Sequence, residues 1–199
     1  MTGGSQNAGM NPTGKLDRKL LAAGERLGRA VRVAKQQAAN RHRLTPLQVD
    51  VVGLLAKGRG LRVGEIAAEL DVTQPTVSDS INALVEKGFV GRDRDPNDRR
   101  ASIVGLTESG DLLAHDLAAE LAPLAAADPD TPDHAKAIAL RVLLTEIRRL
   151  HLANVITVDR SCLTCRHYNH STRPAHCLLL DRPLVDADLR VDCPEHQPA

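Results

Sequence analysis

Aromatic side chains are nearly absent from this 199-residue chain, which has one Phe, one Tyr and no Trp. Proteins that bind single-stranded nucleic acid stack its bases on aromatic rings, so this mode of binding is disfavoured. Long apolar runs are absent too, because no stretch approaches the roughly 18 residues of a membrane helix. The polar first residues have no signal-peptide core, and we therefore expect a cytoplasmic protein with no membrane partner.

Net charge is also small, at +1 for the whole chain, but it is unevenly spread. Residues 1–43 hold nine Lys or Arg against two acidic side chains, a local excess of seven positive charges. Duplex nucleic acid therefore remains open as a partner. Serines and histidines are scattered without catalytic spacing, and the sequence has no phosphate-binding glycine loop. We expect no enzymatic activity.

Composition divides the chain into three parts. Residues 1–14 are rich in Gly, Asn, Ser and Thr, which predicts a disordered leader. Residues 15–153 hold a series of amphipathic segments, and residues 154–199 hold all four cysteines. Two of the segments, from Lys15 to about Asn40 and from Thr131-Pro132 onward, predict long helices. Their apolar stripes exceed what one subunit can bury, which favours a homodimer.

Two helices joined by a short break lie between those long helices. Thr45-Pro46-Leu47-Gln48 predicts a capping box that starts the helix before them. The first of the pair runs from Val63 to Leu70, and the break at Asp71-Val72-Thr73 joins it to the second as a helix-turn-helix. Thr73 is expected to cap the second helix with its hydroxyl, and Gly88 to end it. The buried face of that helix is predicted to contain Val77, Ile81, Leu84 and Val85.

The opposite face of this second helix carries short polar side chains. They are Gln74, Thr76, Ser78, Asp79 and Asn82. Short polar groups let a helix approach the major groove and hydrogen-bond base edges. Asp79 repels phosphate but can accept from a cytosine amino group, so it affects which sequence is bound more than whether DNA is bound.

A charged hairpin follows the helix. Phe89 to Arg94 and Ala101 to Leu106 predict paired strands, with Asp95 to Asp98 as the turn. Arg99 and Arg100 at the tip can enter the narrow minor groove, with Arg92 on the first strand beside them. Asp95 and Asp98 are expected to hold the tip guanidinium groups in place.

This ordered run resembles the winged helix-turn-helix of the MarR family. The residues that carry the resemblance are Pro75, Thr76, Val77, Ser78, Gly88, Phe89, Val90, Arg92, Asp95, Pro96, Asp98, Arg99, Arg100, Val104, Leu106, Thr107 and Gly110. The resemblance covers roughly residues 15–153. It implies a mainly α winged helix-turn-helix whose first and last helices interlock in a homodimer. It also implies a transcriptional regulator, a repressor in function, that binds a near-palindromic operator in double-stranded DNA and leaves room for a small-molecule or redox effector.

The tail beyond residue 153 lies outside the resemblance. Its four cysteines follow the pattern Cys162-x2-Cys165-x11-Cys177-x15-Cys193. Four thiolates complete a tetrahedral zinc site or hold an iron-sulfur cluster, and zinc is favoured because it is the commoner centre. The centre is either structural or a sensor of metal or redox state. The alternatives are ordinary thiols in a packed appendage, a metal- or redox-dependent protein-interaction module, and a non-specific architectural DNA binder.

Overall fold

The computed structural model describes residues 12–58, 60–95, 102–125 and 128–199. The helices are α1 (Pro12–Arg41), α2 (Pro46–Leu55), α3 (Val63–Glu69), α4 (Gln74–Glu86), α5 (Glu108–Ala125) and α6 (Asp133–Leu152). The strands are β1 (Val90–Arg94), β2 (Ser102–Leu106), β3 (Tyr168–Asn169), β4 (Ala175–Cys177) and β5 (Arg182–Leu184). This order confirms the mainly α winged helix-turn-helix. Residues 1–11 of the predicted disordered leader and the wing tip at residues 96–101 lie outside the described residues.

Both long helices differ from their predicted starts. Helix α1 already begins at Pro12, so the last three residues assigned to the leader are helical. Helix α6 begins at Asp133, with Pro132 rather than Thr131 in the N-cap position and without a side-chain cap. Proline is well placed at a helix start because its missing N–H has no intrahelical partner there.

Helix α2 is fixed by the predicted capping box. The Gln48 amide donates to the Thr45 hydroxyl at 3.2 Å, and the Thr45 amide donates to the Gln48 side chain at 3.1 Å. Behind this cap, Val51 and Val52 are fully buried in the core that α1 to α5 and the wing share. A rigid α2 therefore gives α4 a fixed surface to pack against.

The helix-turn-helix comprises α3, the turn at residues 70–73 and α4. Val77, Ile81 and Leu84 are fully buried, as the spacing predicts. Val85 is 39% exposed, so its assignment to the buried face was wrong, because it lies one position round the helix from Leu84.

Thr73 holds the N-cap backbone conformation but makes no side-chain cap bond. Its hydroxyl lies 2.8 Å from that of Thr76, which corrects the predicted capping role. An N-cap hydroxyl normally accepts from the amide of the second or third residue of its helix. Pro75 is the second residue and has no N–H group. At the third residue, the Thr76 hydroxyl competes with the Thr76 amide as the partner of Thr73.

The wing is an antiparallel pair in which Val90 lies opposite Leu106 and Arg94 opposite Ser102. The turn between α4 and β1 needs Gly88, whose φ is +77°. The Thr107 hydroxyl donates to the Gly88 carbonyl at 2.6 Å and accepts from the Gly110 amide at 3.1 Å. One side chain therefore fastens the end of α4 to the start of α5 and sets the angle of the wing.

The tail forms a small three-stranded antiparallel sheet, β3-β4-β5, that packs on α6. Its core contains Cys162, Leu184 and Leu189 together with Leu144 of α6. Leu140 and Ile147 of α6 pack against the same cluster. Part of the apolar surface of α6 is therefore covered by the tail of its own chain.

The remaining apolar stripes stay uncovered. The exposed large side chains on α1 and α6 are Leu16, Leu20, Leu21, Leu27, Val31, Val33, Ile138, Val142, Leu143 and Leu152. From residue 14, where the side chains of α1 are described, no residue before Ala38 is buried. Of the helices that the structure describes, none combines the length and the apolar character needed to cross a membrane.

Candidate nucleic-acid interface and four-cysteine site

Helix α4 presents the predicted polar face to solvent. Gln74, Thr76, Asp79 and Asn82 are exposed, and Ser78 is half-buried. The opposite side of the helix is locked into the core by fully buried side chains. The helix can therefore enter a groove without exposing apolar surface, and its polar groups point away from the protein body.

The first residue of that face, Gln74, lies against α3. A β-carbon added to Gly64 would lie 3.0 Å from Nε2 of Gln74, so the glycine leaves the space that this amide occupies. Gly64 was not singled out from the sequence, since a single glycine in a helix does not indicate which side chain packs against it. It brings the start of α4 close to α3 and helps to set the position of Gln74.

Asn82 and Arg92 are joined to each other. Nη2 of Arg92 donates to Oδ1 of Asn82 at 2.7 Å, which links the first strand of the wing to the face of α4. Two residues predicted independently as DNA contacts therefore form one unit. Arg99 and Arg100 lie outside the described residues, so their predicted place at the wing tip stays a prediction.

Asp95 at the start of the wing turn is buried, with 6% of its surface exposed. Its carboxylate accepts from Nε of Arg62 at 2.7 Å, and Nη2 of Arg62 lies 2.6 Å from the same oxygen. Arg62 is the residue before α3. A buried carboxylate with a two-nitrogen arginine contact fixes the base of the wing to the helix-turn-helix.

The four cysteines of the tail line one cavity. Cys162, Cys165, Cys177 and Cys193 are four of the eleven residues that line a cavity of about 30 Å³. The other wall residues include Tyr168, Leu180, Leu184 and Arg190. All four thiols are free. Residues that are up to 31 positions apart in the sequence are thus brought together, as a shared site requires.

Two of the sulfur atoms accept hydrogen bonds from Arg190. The Arg190 amide donates to Sγ of Cys162 at 3.2 Å, and the Arg190 guanidinium donates to Sγ of Cys193 at 3.4 Å. Burial raises the pKa of the Cys162 thiol. Hydrogen bonding to Cys193, followed by its own backbone bond, lowers the pKa of the Glu195 carboxyl.

One further wall residue, His167, was not singled out from the sequence. Its Nε2 atom is buried and has no hydrogen-bond partner among the described residues. Within the same described residues, no group of three or more His, Cys, Asp or Glu side chains is arranged so that it could hold a metal ion. The thiols line a cavity instead of meeting at one point.

The tail also contacts the helix-turn-helix directly, which the sequence did not predict. The Thr157 amide donates to Oδ1 of Asp71 at 2.7 Å, across 86 positions of sequence. Arg160 pairs with Glu69, and Asp192 pairs with Lys57 ahead of α3. Asp71 has a φ of +51° and lies in the turn between α3 and α4. The turn is therefore held from outside by the four-cysteine tail.

Comparison with known proteins finds relatives of the winged helix-turn-helix region. Residues 43–101 match the model of the MarR family. The HTH-type transcriptional repressor MdtR of Bacillus subtilis (strain 168) is 33% identical over 69 residues. That match covers 35% of this chain and 44% of MdtR, so the chain spans less than half the length of this curated relative.

Solved structures share the fold over a larger part of the chain. A MarR transcriptional regulator from Methanosarcina mazei Go1 covers 67% of this chain and 99% of its own, with 21% identity and a TM-score of 0.56. A MarR-family regulator from Silicibacter pomeroyi covers 65% and 86%, with 22% identity and a TM-score of 0.55. Reduced AbfR bound to DNA covers 70% and 97%, with 18% identity and a TM-score of 0.54.

Proposed function

We propose that the protein is a transcriptional regulator that binds duplex DNA in a sequence-specific manner as a homodimer, on the likeness of its winged helix-turn-helix to the MarR family. The observation that carries the proposal is the exposed polar face of α4, backed by three fully buried side chains. Such a helix can enter the major groove, where each base pair offers a distinct pattern of donors and acceptors.

The roles of the polar residues follow from their positions on α4. Gln74, Thr76, Ser78 and Asp79 occupy its first half, the part of a recognition helix that contacts base edges. Asp79 accepts hydrogen bonds and repels phosphate, so it favours a cytosine amino group at the base it faces. Asn82, bonded to Arg92, lies where α4 meets the wing, and this pair positions the wing relative to the groove.

The wing supplies the contacts that depend least on major-groove sequence. Arg99 and Arg100 enter the adjacent minor groove, whose narrow A·T-rich form has an enhanced negative potential. The bonds between Asp95 and Arg62 support this role because they fix the base of the wing to the start of α3. A wing held at its base needs less ordering when DNA arrives, which lowers the entropic cost of binding.

The second subunit covers the exposed apolar stripes of α1 and α6. Leu20, Leu27 and Val31 on α1 are 54%, 67% and 38% exposed, and Val142 and Leu143 on α6 are 44% and 58% exposed. Exposed apolar surface of this extent favours association of two copies. The two-fold dimer places two α4 helices on a near-palindrome with half-sites about 10 base pairs apart, and bound there it represses transcription.

The tail carries the third part of the proposal, a metal centre held by Cys162, Cys165, Cys177 and Cys193. Their convergence on one cavity supports a shared site. The chemistry of the four side chains is compatible with either zinc or an iron-sulfur cluster, since thiolates are ligands for both. Such a centre either orders the tail or makes DNA binding depend on metal or redox state.

Selection from a random duplex pool tests the DNA-binding function. The full-length protein is expected to enrich a near-palindromic sequence, and that sequence should compete at least about a thousandfold better than unselected duplex at moderate salt. Tight binding without enrichment would show an architectural DNA binder. Failure to bind any duplex at low salt would favour a protein-interaction module instead.

A further inference from the structure

The turn between α3 and α4 holds a residue other than glycine in the left-handed backbone region. Turns of helix-turn-helix pairs often contain a glycine, but residues 70–73 include none. Asp71 has a φ of +51°. Aspartate tolerates this conformation better than most side chains, yet it keeps it only where the surroundings hold it there. Contacts made to Asp71 from outside the turn therefore help to decide the shape of the turn.

The shape of this turn sets the position of the polar face of α4. The Val72 amide donates back to the Ala67 carbonyl at 3.1 Å, which ties the turn to α3. Gln74, the first residue of α4, lies against α3, because a β-carbon added to Gly64 would come within 3.0 Å of its Nε2. With α3 and α4 this close, a change in the turn would move the first side chain of the face that we assign to the major groove.

The tail holds the turn from outside through two of its residues. The Thr157 amide donates to Oδ1 of Asp71 at 2.7 Å. Three residues later, two nitrogens of the Arg160 guanidinium contact one carboxylate oxygen of Glu69, the last residue of α3. The side chains of this pair are 25% and 12% exposed, so salt screens it less than a surface ion pair. The turn and the end of α3 are therefore both fastened to residues 157–160.

Residues 157–160 are in turn anchored to the rest of the tail. The Cys193 amide donates to the Arg160 carbonyl at 3.1 Å. The Ser161 amide donates to Oδ1 of Asp159 at 2.8 Å, and both of these side chains are buried. The core of the tail packs on Leu144 of α6. The backbone of Arg160 thus belongs to the tail, whereas its side chain reaches the helix-turn-helix and connects it to α6.

We propose that Thr157 and Arg160 are positioning residues for DNA recognition, which hold the turn between α3 and α4 so that α4 meets the major groove correctly. The proposal rests on the DNA-binding function above and gives the tail a part in it. Neither residue needs to contact DNA, since they act through Asp71 and Glu69. A turn without these contacts samples more conformations, so base contacts form at a greater entropic cost. Non-specific binding depends on phosphate charge and is affected little.

Matched double variants of the full-length protein test the positioning role. Arg160→Gln combined with Asp71→Gly removes both contacts, while glycine retains positive φ. Arg166→Gln combined with Asp71→Asn is the control. It changes the charge equally, Arg166 is an exposed arginine of the tail, and asparagine keeps both the Oδ1 acceptor and the tolerance of positive φ.

The affinities of both variants for selected and unselected duplexes are measured at one salt concentration. The variant without the contacts is expected to bind the selected duplex at least about fivefold more weakly than the control, the lower end of typical coupling between sites. The two variants should bind unselected duplex equally. Equal affinity for the selected duplex, or an equal loss on both duplexes, would overturn the proposal.

A readout without DNA separates this inference from the proposed function. Hydrogen exchange of the Val72 amide, which donates to the Ala67 carbonyl, should be faster in the variant without the contacts than in the control. The Phe89 amide, which donates to the Leu84 carbonyl at the other end of α4, should exchange equally in both. Equal exchange at Val72, or the same acceleration at both amides, would overturn the proposal whether or not DNA binds. Failure of the wild type to bind any duplex at low salt would instead contradict the proposed function, even with the difference at Val72 present.

Discussion

Gly110, in the first turn of α5, has no room for a side chain. A β-carbon there would lie 2.0 Å from the Phe89 carbonyl oxygen, which is backbone and cannot rotate away. The neighbouring Thr107 hydroxyl already binds the end of α4 and the start of α5. Gly110 was noted in the sequence only as part of a family pattern, and the structure supplies its physical reason.

We expect Gly110→Ala to destabilise the protein by about 3 kcal/mol or more, because the backbone itself must shift to admit the methyl group. Gly53→Ala is the matched control. An added β-carbon at Gly53 meets nothing within 4 Å, and alanine in a helix gains up to about 1 kcal/mol over glycine. Urea unfolding of both variants measures the difference. A Gly110→Ala protein as stable as the wild type would contradict the close approach.

Single residues also show how far local sequence signals reach. The Thr45-Gln48 capping box could be predicted because both partners lie within one turn of helix. Thr73 is also a threonine in an N-cap position, yet its hydroxyl bonds to the hydroxyl of Thr76. The sequence does not show which of two nearby hydrogen-bond partners a hydroxyl will bind, since that depends on side-chain rotamers.

At the scale of elements, α4 and the wing have separable roles in DNA binding. Arg99→Ala and Arg100→Ala are expected to weaken binding to all duplexes and to flatten the dependence of log K on log salt by about one unit per lost contact. Arg99→Lys retains the charge and serves as the control, with little change in slope. Binding isotherms at several salt concentrations measure this. Full affinity and slope in both alanine variants would show that the wing does not contact DNA.

Substitutions on α4 should act on base preference instead. Thr76→Ala and Ser78→Ala each remove a short hydrogen-bonding group from the face that we assign to the major groove. We expect each to change the preferred base at one position of each half-site, at a cost of about 1 to 3 kcal/mol for the original base. Repeating the duplex selection with each variant measures the change. An unaltered selected sequence in both variants would place the reading surface elsewhere.

Elements also separate what the sequence predicts from what it does not. Helix periodicity and turn residues gave α2, α3, α4 and the wing, because these signals act between neighbours in the chain. The contacts of the tail with Asp71 and Glu69 join residues 86 and 91 positions apart, and the tail also packs on α6. Such pairs leave no periodic mark in the sequence, so only the structure brings them together.

For the whole molecule, side-chain exposure decides which residues can test the dimer. Ile147 packs against the cluster formed by the tail, so a charge there would disturb the subunit itself. Val31 and Val142 are exposed and belong to the stripes that we assign to the second subunit. Val31→Asp combined with Val142→Asp is therefore expected to give folded monomers, because each carboxylate would be buried unpaired in the interface.

Val85→Asp is the matched control for the dimer. Val85 is 39% exposed and Val31 is 38% exposed, but Val85 lies on α4, outside the proposed interface. This variant should sediment as the wild type does. Circular dichroism checks that all variants keep their helices. A wild type that sediments as a folded monomer at micromolar concentration would contradict the dimer.

The central claim, a dimer that binds one duplex through two α4 helices, is tested most directly by the mass of the complex. Sedimentation of the full-length protein with a selected near-palindromic duplex, at protein excess, gives the number of chains per duplex. We predict two chains on each duplex, with half-sites about 10 base pairs apart. One chain per duplex, or a number that grows with duplex length, would contradict the account.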